Sequence, residues 1–142
     1  AEELQSLGMS LRKAEYIKDF ASKIVSGEFA LQAVEQLSDE EAIAALSSLK
    51  GIGRWTAEMI LLFCLQRPDI LSFDDLAIQR GLRMLYHHRK ITRELFAKYK
   101  KRYSPYGSTA ALYLWAISGG AIEGMQDYAP AKKAVRKTKR SE

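Results

Sequence analysis

The chain has 142 residues, 47% of them hydrophobic, a formal net charge of +5 and a single cysteine. That length and apolar content predict one compact domain with its own core rather than two. One cysteine excludes an internal disulfide and an iron–sulfur cluster, which needs four thiolates, and no apolar run approaches the roughly 18 residues of a membrane span.

The charge is uneven. Lys132, Lys133, Arg136, Lys137, Lys139 and Arg140 against Glu142 put about +5 on residues 130–142, so residues 1–129 are close to neutral. The expected division is a body over 1–129 and a basic, flexible tail over 130–142, which either adds salt-sensitive affinity for DNA or stays solvated. The start, AEELQSLGMS, has no signal-peptide pattern, so a soluble chain in a reducing cytoplasmic compartment is expected. It opens without Met and already in a helical pattern, which reads as a fragment or a processed chain.

In chain order, Glu3 to Leu7 reads as the end of a helix closed by Gly8. Ser10 then caps Leu11–Ser26, where Leu11, Ala14, Ile17, Phe20, Ala21, Ile24 and Val25 recur at helical spacing up to Gly27. A short segment, Leu31 to Gln36, follows. Ser38 and Glu41 form a capping box for a helix through Leu46. A helix from Gly53 to about Gln66, apolar nearly all round and including Cys64, is expected to be the buried centre, ended by Pro68. Asp69–Phe73 is an extended link. Leu76, Ile78, Leu82 and Leu85 mark the next helix, ending near Tyr86 or His87. Thr92 starts Arg93–Tyr103, crowded with Lys98, Lys100, Lys101 and Arg102. Ser104-Pro105 stops it, and Gly107–Ser118 closes the series. No strand pattern or repeat competes, so the fold class is all-α.

Two local patterns carry chemistry. In Leu49-Lys50-Gly51-Ile52-Gly53-Arg54-Trp55-Thr56, two glycines flank one apolar residue between two helical patterns, a tight interhelical hairpin. The first amides of the helix that follows have no internal partner and lie at the positive end of its dipole, where a phosphate fits. The plainer reading is a turn between packed helices. In Ser72-Phe73-Asp74-Asp75-Leu76, two carboxylates open a helix, and Ser72 with Asp75 fits a capping box. His87 and His88 stand together at a helix end without further metal ligands at suitable spacing, so they read as helix C-terminal charge.

Taken as a spaced set, the hairpin, the apolar helix and the Asp-Asp pair of SFDDLAIQRG resemble the helix-hairpin-helix DNA glycosylase superfamily, most closely its 3-methyladenine DNA glycosylase II branch. The resemblance covers most of residues 4–120. It implies a monofunctional glycosylase that hydrolyses the N-glycosidic bond of alkylated purines in double-stranded DNA. Asp75 matches the catalytic aspartate and Asp74 its supporting neighbour. Trp55 stands where members that also nick the backbone place a Schiff-base lysine, and it offers no amine. Trp55, Met59, Leu76 and Trp115 match the base pocket, where electron-rich rings would attract cationic bases. Met59 and Leu76 replace common aromatics. Gly51, Ile52, Gly53, Arg54 and Thr56 match the phosphate-binding hairpin.

The carbonyls of Ser47, Leu49 and Ile52 match those that hold a monovalent or divalent cation in the family; no other cofactor is implied. The resemblance also implies further helices ahead of residue 1, completing the pocket and supplying the wedge that fills the gap left by a flipped base. The chain alone is therefore expected to excise weakly unless another chain supplies that part. Two other readings stand beside this one: a non-catalytic helix-hairpin-helix DNA-binding module, and an all-α interaction domain with a nonspecific basic tail.

Overall fold

The computed structural model describes residues 2–130, so the basic tail expected over 130–142 falls, from residue 131 on, outside the described residues. The described residues form eight α-helices in order: α1 (Glu2–Ser6), α2 (Leu11–Val25), α3 (Leu31–Val34), α4 (Asp39–Ser47), α5 (Arg54–Met59), α6 (Leu76–Tyr86), α7 (Arg93–Tyr103) and α8 (Gly107–Ser118). A π-helical turn, Ile60–Cys64, continues α5. The described residues contain no strand, in line with the all-α expectation. No described helix is long and apolar enough to cross a membrane.

The caps follow the residue types. Ser10 accepts from the Lys13 amide, Thr92 accepts from Leu95, and Ser38 and Glu41 form the reciprocal box foreseen for α4. The core joins Val34, Ile43, Leu46, Leu61, Leu62, Ile78, Leu82, Phe96, Ala111 and Leu114. At its centre α6 and α8 approach so closely that a Cβ on Gly81 would lie 2.4 Å from the Leu114 carbonyl oxygen. Only a residue without a side chain lets the two backbones meet there.

Two expectations for the second hairpin arm are corrected. The helix does not continue in α geometry to Gln66: the Leu65 amide donates to the Ile60 carbonyl 3.1 Å away, a π spacing, and the left-handed Gln66 (φ 52°) ends it. The wider turn keeps Leu61 and Leu62 in the core and rotates the next two residues out, so Phe63 is 57% exposed and Cys64, expected buried, is exposed as well. The amphipathic α2 buries only Ala14 fully; Leu11, Ile17 and Val25 remain open to solvent.

The segment after α8 returns to α6. Arg83 donates from Nε and Nη2 to the two carboxylate oxygens of Asp127 at 2.7 and 2.6 Å, and this hydrogen-bonded guanidinium holds the Asp127 carboxyl below its ordinary value. The folded-state pKa thus lies below the unfolded value of about 3.9, so the stabilisation is complete above that value and is lost as pH falls through the folded one. Asp127→Asn is expected to lower unfolding free energy by about 1–2 kcal/mol at pH 7, and by progressively less as pH falls below the unfolded value. Urea titrations of both proteins at pH 7 and at a series of lower pH values measure the difference.

Candidate active site

The hairpin is built by α4 running out and α5 starting within six residues. Leu49 donates to Leu46 O and Ile52 donates to Leu49 O, which turns the chain, and half-buried Ile52 packs against the core. The two glycines serve different ends. Gly51 has φ +84°, and a Cβ there would lie 2.2 Å from the Tyr16 ring on α2, so this position needs glycine twice over. Gly53 is the N-cap of α5 with φ −88°, a conformation open to any residue, and a Cβ there would meet nothing.

What Gly53 leaves clear is the approach to the start of α5. Among the described residues, no acceptor meets the amides of Arg54, Trp55 or Thr56. The Arg54 side chain is already engaged: Nη2 donates to both Glu40 oxygens at 2.9 and 3.0 Å, and Nε donates to Glu58 at 3.1 Å. The guanidinium holds the Glu40 carboxyl below its ordinary value. What this turn leaves open to an approaching anion is therefore backbone N–H rather than the guanidinium.

The second element is placed by the link from Arg67 to Phe73. The Arg67 guanidinium donates to the carbonyls of Glu35 and Leu37, both at 2.9 Å, tying the segment after the π turn to the link between α3 and α4. Asp69 accepts from Ser104 Oγ at 2.6 Å and from the Gly107 amide at 3.0 Å, and the Ile70 amide donates to Ser108 Oγ. Gln79 donates to the Phe73 carbonyl at 2.7 Å. The chain thus enters α6 in one fixed orientation.

Asp75 is the N-cap of α6. Its Oδ1 accepts from the amides of Ala77 and Ile78 at 2.8 and 2.9 Å, and its Oδ2 accepts from the Trp55 indole Nε1 at 2.8 Å. The capping box expected between Ser72 and Asp75 is therefore absent: Asp75, with φ −81° and ψ 112°, lies before the helix and caps it directly. Ser72 is fully buried, and its hydroxyl finds no hydrogen-bond partner among the described residues.

Trp55 and Asp75, twenty residues apart in the chain, are in direct contact. Asp75 is 6% exposed and makes no ion pair among the described residues, whereas Trp55 is 47% exposed, leaving ring surface open beside the carboxylate. Three N–H dipoles converge on one carboxylate at the rim of the protein. Such a group can stabilise positive charge that develops next to it and can accept a proton from water.

The other expected site residues are less concentrated. Met59 is half-buried one turn beyond Trp55, and Leu76 is 79% exposed beside Asp75. Trp115, half-buried on α8, stacks on Phe63 with ring centroids 5.6 Å apart and planes at 12°. Asp74 is half exposed, and Arg93 Nη2 lies 3.7 Å from its Oδ1. The Arg93 guanidinium also covers the Phe73 ring at 4.3 Å.

Phe63 and Arg93 were not singled out from the sequence. Phe63 was hidden by the assumption of an unbroken α-helix. Arg93 did leave a signal, since a cation in the first turn of α7 opposes the helix dipole and calls for another partner.

His87 and His88 also find uses other than helix-end charge. His87 is the left-handed C-cap of α6, with its ring 4.7 Å from Tyr128, and His88 Nε2 lies 2.6 Å from the Tyr99 hydroxyl. Among the described residues no group of three His, Cys, Asp or Glu could hold a metal ion.

Comparison with known proteins gives this geometry a family. The model of the HhH-GPD superfamily base excision DNA repair proteins matches residues 1–105. The chain is 40% identical over 119 residues to DNA-3-methyladenine glycosylase 1 of Schizosaccharomyces pombe, covering 82% of this chain and 52% of that protein. A crystal structure of DNA-3-methyladenine glycosidase from Bacillus halodurans superposes with a TM-score of 0.74 at 37% identity, over 84% of this chain and 56% of that one. The Schizosaccharomyces pombe 3-methyladenine DNA glycosylase in complex with abasic DNA gives 0.70 at 38%, over 81% and 57%. The chain thus spans about half the length of these relatives. With the hairpin and Asp75 both inside the matched region, the chain belongs to the HhH-GPD superfamily of base excision DNA repair proteins.

Proposed function

We propose that this chain carries the catalytic half of a monofunctional DNA glycosylase acting on alkylated purines such as 3-methyladenine in double-stranded DNA. The observation that supports it most is the Asp75 carboxylate, oriented by three N–H donors, touching an exposed tryptophan that leads directly into the hairpin. The amides of Arg54, Trp55 and Thr56 meet a phosphate and hold the strand. The damaged nucleotide leaves the stack, at a lower cost than a paired base, and its sugar comes to rest against Asp75.

As the C1′–N bond breaks, the bonding pair leaves with the base and positive charge spreads over C1′ and the ring oxygen. Asp75 stabilises that charge, and water adds to C1′ while its proton passes to the carboxylate or to solvent. An alkylated purine carries positive charge and leaves as a neutral base, so no strong acid is required. Trp55 has no amine, so no Schiff base forms and the product is an intact strand with an abasic site. Trp55, Met59, Leu76 and Trp115 line the path of the base, and the exposed Trp55 ring attracts its charge. Asp74, paired with Arg93, supports the loop.

A cation fits the hairpin's donor set: among the described residues the Ser47 and Ile52 carbonyls accept no hydrogen bond, and Leu49 O accepts one from Ile52. Carbonyl oxygens suit a monovalent or divalent ion, which Ser47, Leu49 and Ile52 would hold and whose positive charge would favour a nearby anion. A single cysteine supplies no set for an iron–sulfur cluster. The exposed apolar side chains Phe63, Leu112 and Tyr113 are met by polypeptide equivalent to the rest of the relatives, whether in the same chain or in another. The protein works in a reducing compartment.

Duplex DNA containing 3-methyladenine or 7-methylguanine, incubated with this chain joined to or mixed with the remaining half of the domain, tests the reading. Free methylated base and alkali-labile sites are expected, with no covalent adduct under borohydride. An adduct, or strand cleavage without alkali, would refute a monofunctional mechanism. DNA binding without any base release would leave the DNA-binding module as the better description.

Trp55→Phe keeps an aromatic face, though a smaller one, and removes the donor to Asp75 Oδ2. The excision rate is expected to fall roughly 10- to 100-fold, the worth of one hydrogen bond to a charged group, with KM nearly unchanged. Steady-state kinetics on a methylated duplex measures both parameters.

A further inference from the structure

Arg54, Arg67 and Arg83 spend their donors on protein acceptors: the carboxylates of Glu40 and Glu58, the carbonyls of Glu35 and Leu37, and the Asp127 carboxylate. Arg93 does not. Its approach to Asp74 Oδ1, 3.7 Å from Nη2, is close enough for charge attraction and too long for a hydrogen bond. Among the described residues no other acceptor takes a hydrogen bond from this guanidinium. What holds it is Phe73, whose ring centroid lies 4.3 Å from the guanidinium carbon. That ring is itself fixed, since it meets Phe96 edge-on at 5.2 Å and 83°, and the Phe73 carbonyl accepts from Gln79.

An arginine laid on a locked aromatic face has already given up much of its side-chain freedom, so meeting a ligand there costs it less. Its place in the fold says which ligand. Arg93 covers Phe73 and faces Asp74, the two residues that lead into Asp75. A nucleotide carries a phosphate on either side of its sugar, so a sugar resting against Asp75 brings both to this end of α6. The amides at the start of α5 are placed to meet one phosphate of the strand, and another must then pass the adjacent carboxylates of Asp74 and Asp75, which repel it. Among the described residues Arg93 is the one cation within 4 Å of either carboxylate. In a glycosylase this is also the part of the surface that the remaining half of the domain has to leave open to DNA.

We propose that Arg93 is a positioning residue that takes a phosphate flanking the extruded nucleotide, a different one from that at the hairpin, and offsets its repulsion by Asp74 and Asp75. The guanidinium fork matches two phosphate oxygens, which fixes the strand's direction as well as its distance. Asp74 holds the charge in place without using up its donors. The assignment rests on Asp75 meeting the sugar, and it gives the strand a second anchor, made by a side chain where the hairpin offers backbone.

Anisotropy titrations of a labelled duplex carrying a tetrahydrofuran abasic analogue, over a range of salt and with the complete domain, test this, with thermal melts to check that each variant folds. Arg93→Gln is expected to bind about tenfold more weakly and to lose about one from the slope of log affinity against log salt. Arg93→Lys, which keeps the charge, is expected to keep the slope. Asp74→Asn is expected to tighten binding at least about twofold when Arg93 is present and to do less in the Arg93→Gln background, the coupling of two groups in contact. An unchanged slope in Arg93→Gln would overturn the proposal, and so would an Asp74→Asn protein that binds as weakly as Arg93→Gln, the mark of a pair that only braces the loop. No bond breaks on this duplex, so the two readings fail separately. An unchanged slope beside normal release of methylated bases defeats the phosphate contact alone, whereas a lost slope without any release defeats the glycosylase reading and supports Arg93 as a contact to DNA.

Discussion

Asp75→Asn lowers base excision by about 10²- to 10³-fold while the protein stays folded: this is the expected result of removing one charge from the site, the size seen when a single electrostatic donor to a transition state is lost. The substitution separates the two tasks of this residue. As an N-cap, asparagine is nearly equal to aspartate, and its Oδ1 can still accept from the amides of Ala77 and Ile78. Stability should therefore change by less than about 1 kcal/mol. At the other end, an amide NH₂ faces the Trp55 indole N–H where an acceptor stood, so that hydrogen bond is lost with the charge. Asp75→Ala, by contrast, leaves both amides uncapped and costs roughly 0.5–2 kcal/mol in addition. Single-turnover excision and thermal melts on the three proteins, with the complete domain present, distinguish a lost charge from a lost cap. An Asp75→Asn protein of undiminished rate would remove the carboxylate from the chemistry.

The second large effect lies in the hairpin, where the two glycines should respond in opposite ways. Gly51→Ala places a methyl in the Tyr16 ring on a left-handed backbone, so the turn must shift and the fold loses about 1–3 kcal/mol. Gly53→Ala meets no neighbour and sits at φ −88°, so the fold loses less than about 1 kcal/mol, the cost of a poorer N-cap. Its methyl instead stands over the start of α5, where the proposed function places the DNA phosphate. Duplex affinity is expected to fall at least tenfold for Gly53→Ala with little change in melting temperature, whereas Gly51→Ala loses both. Anisotropy titrations beside melts read the two quantities. Equal affinity of Gly53→Ala and the unaltered chain would mean that DNA does not approach these amides.

How far these features could be read beforehand depends on whether their cause is local. Gly51 was legible because a positive φ between two helices is a demand on one residue, and the Ser38–Glu41 box because its partners are three apart. Ser72 and Asp75 match the same spacing, but the link fixed by Asp69 and Ser108 makes Asp75 the last non-helical residue, and the box cannot close. Phe63 and Cys64 were misplaced because Ile60 to Leu65 is apolar at every position, so no periodicity reveals that the turn is π rather than α. The resemblance aligned Trp55 and Asp75 with a site, but the hydrogen bond between them arises only when the hairpin and α6 pack together. Arg93 beside Asp74 is of the same kind, a contact made by α7 folding back.

Catalysis as proposed requires Asp75 to meet positive charge on a sugar. Binding of two duplexes measures this without any chemical step: one with a cationic pyrrolidine in place of the damaged nucleotide's sugar, the other with neutral tetrahydrofuran. The complete domain is expected to prefer the cationic duplex by about tenfold or more, roughly 1.4 kcal/mol, and Asp75→Asn is expected to bind both alike. A preference that survives in Asp75→Asn, or that is missing from the unaltered protein, would contradict it.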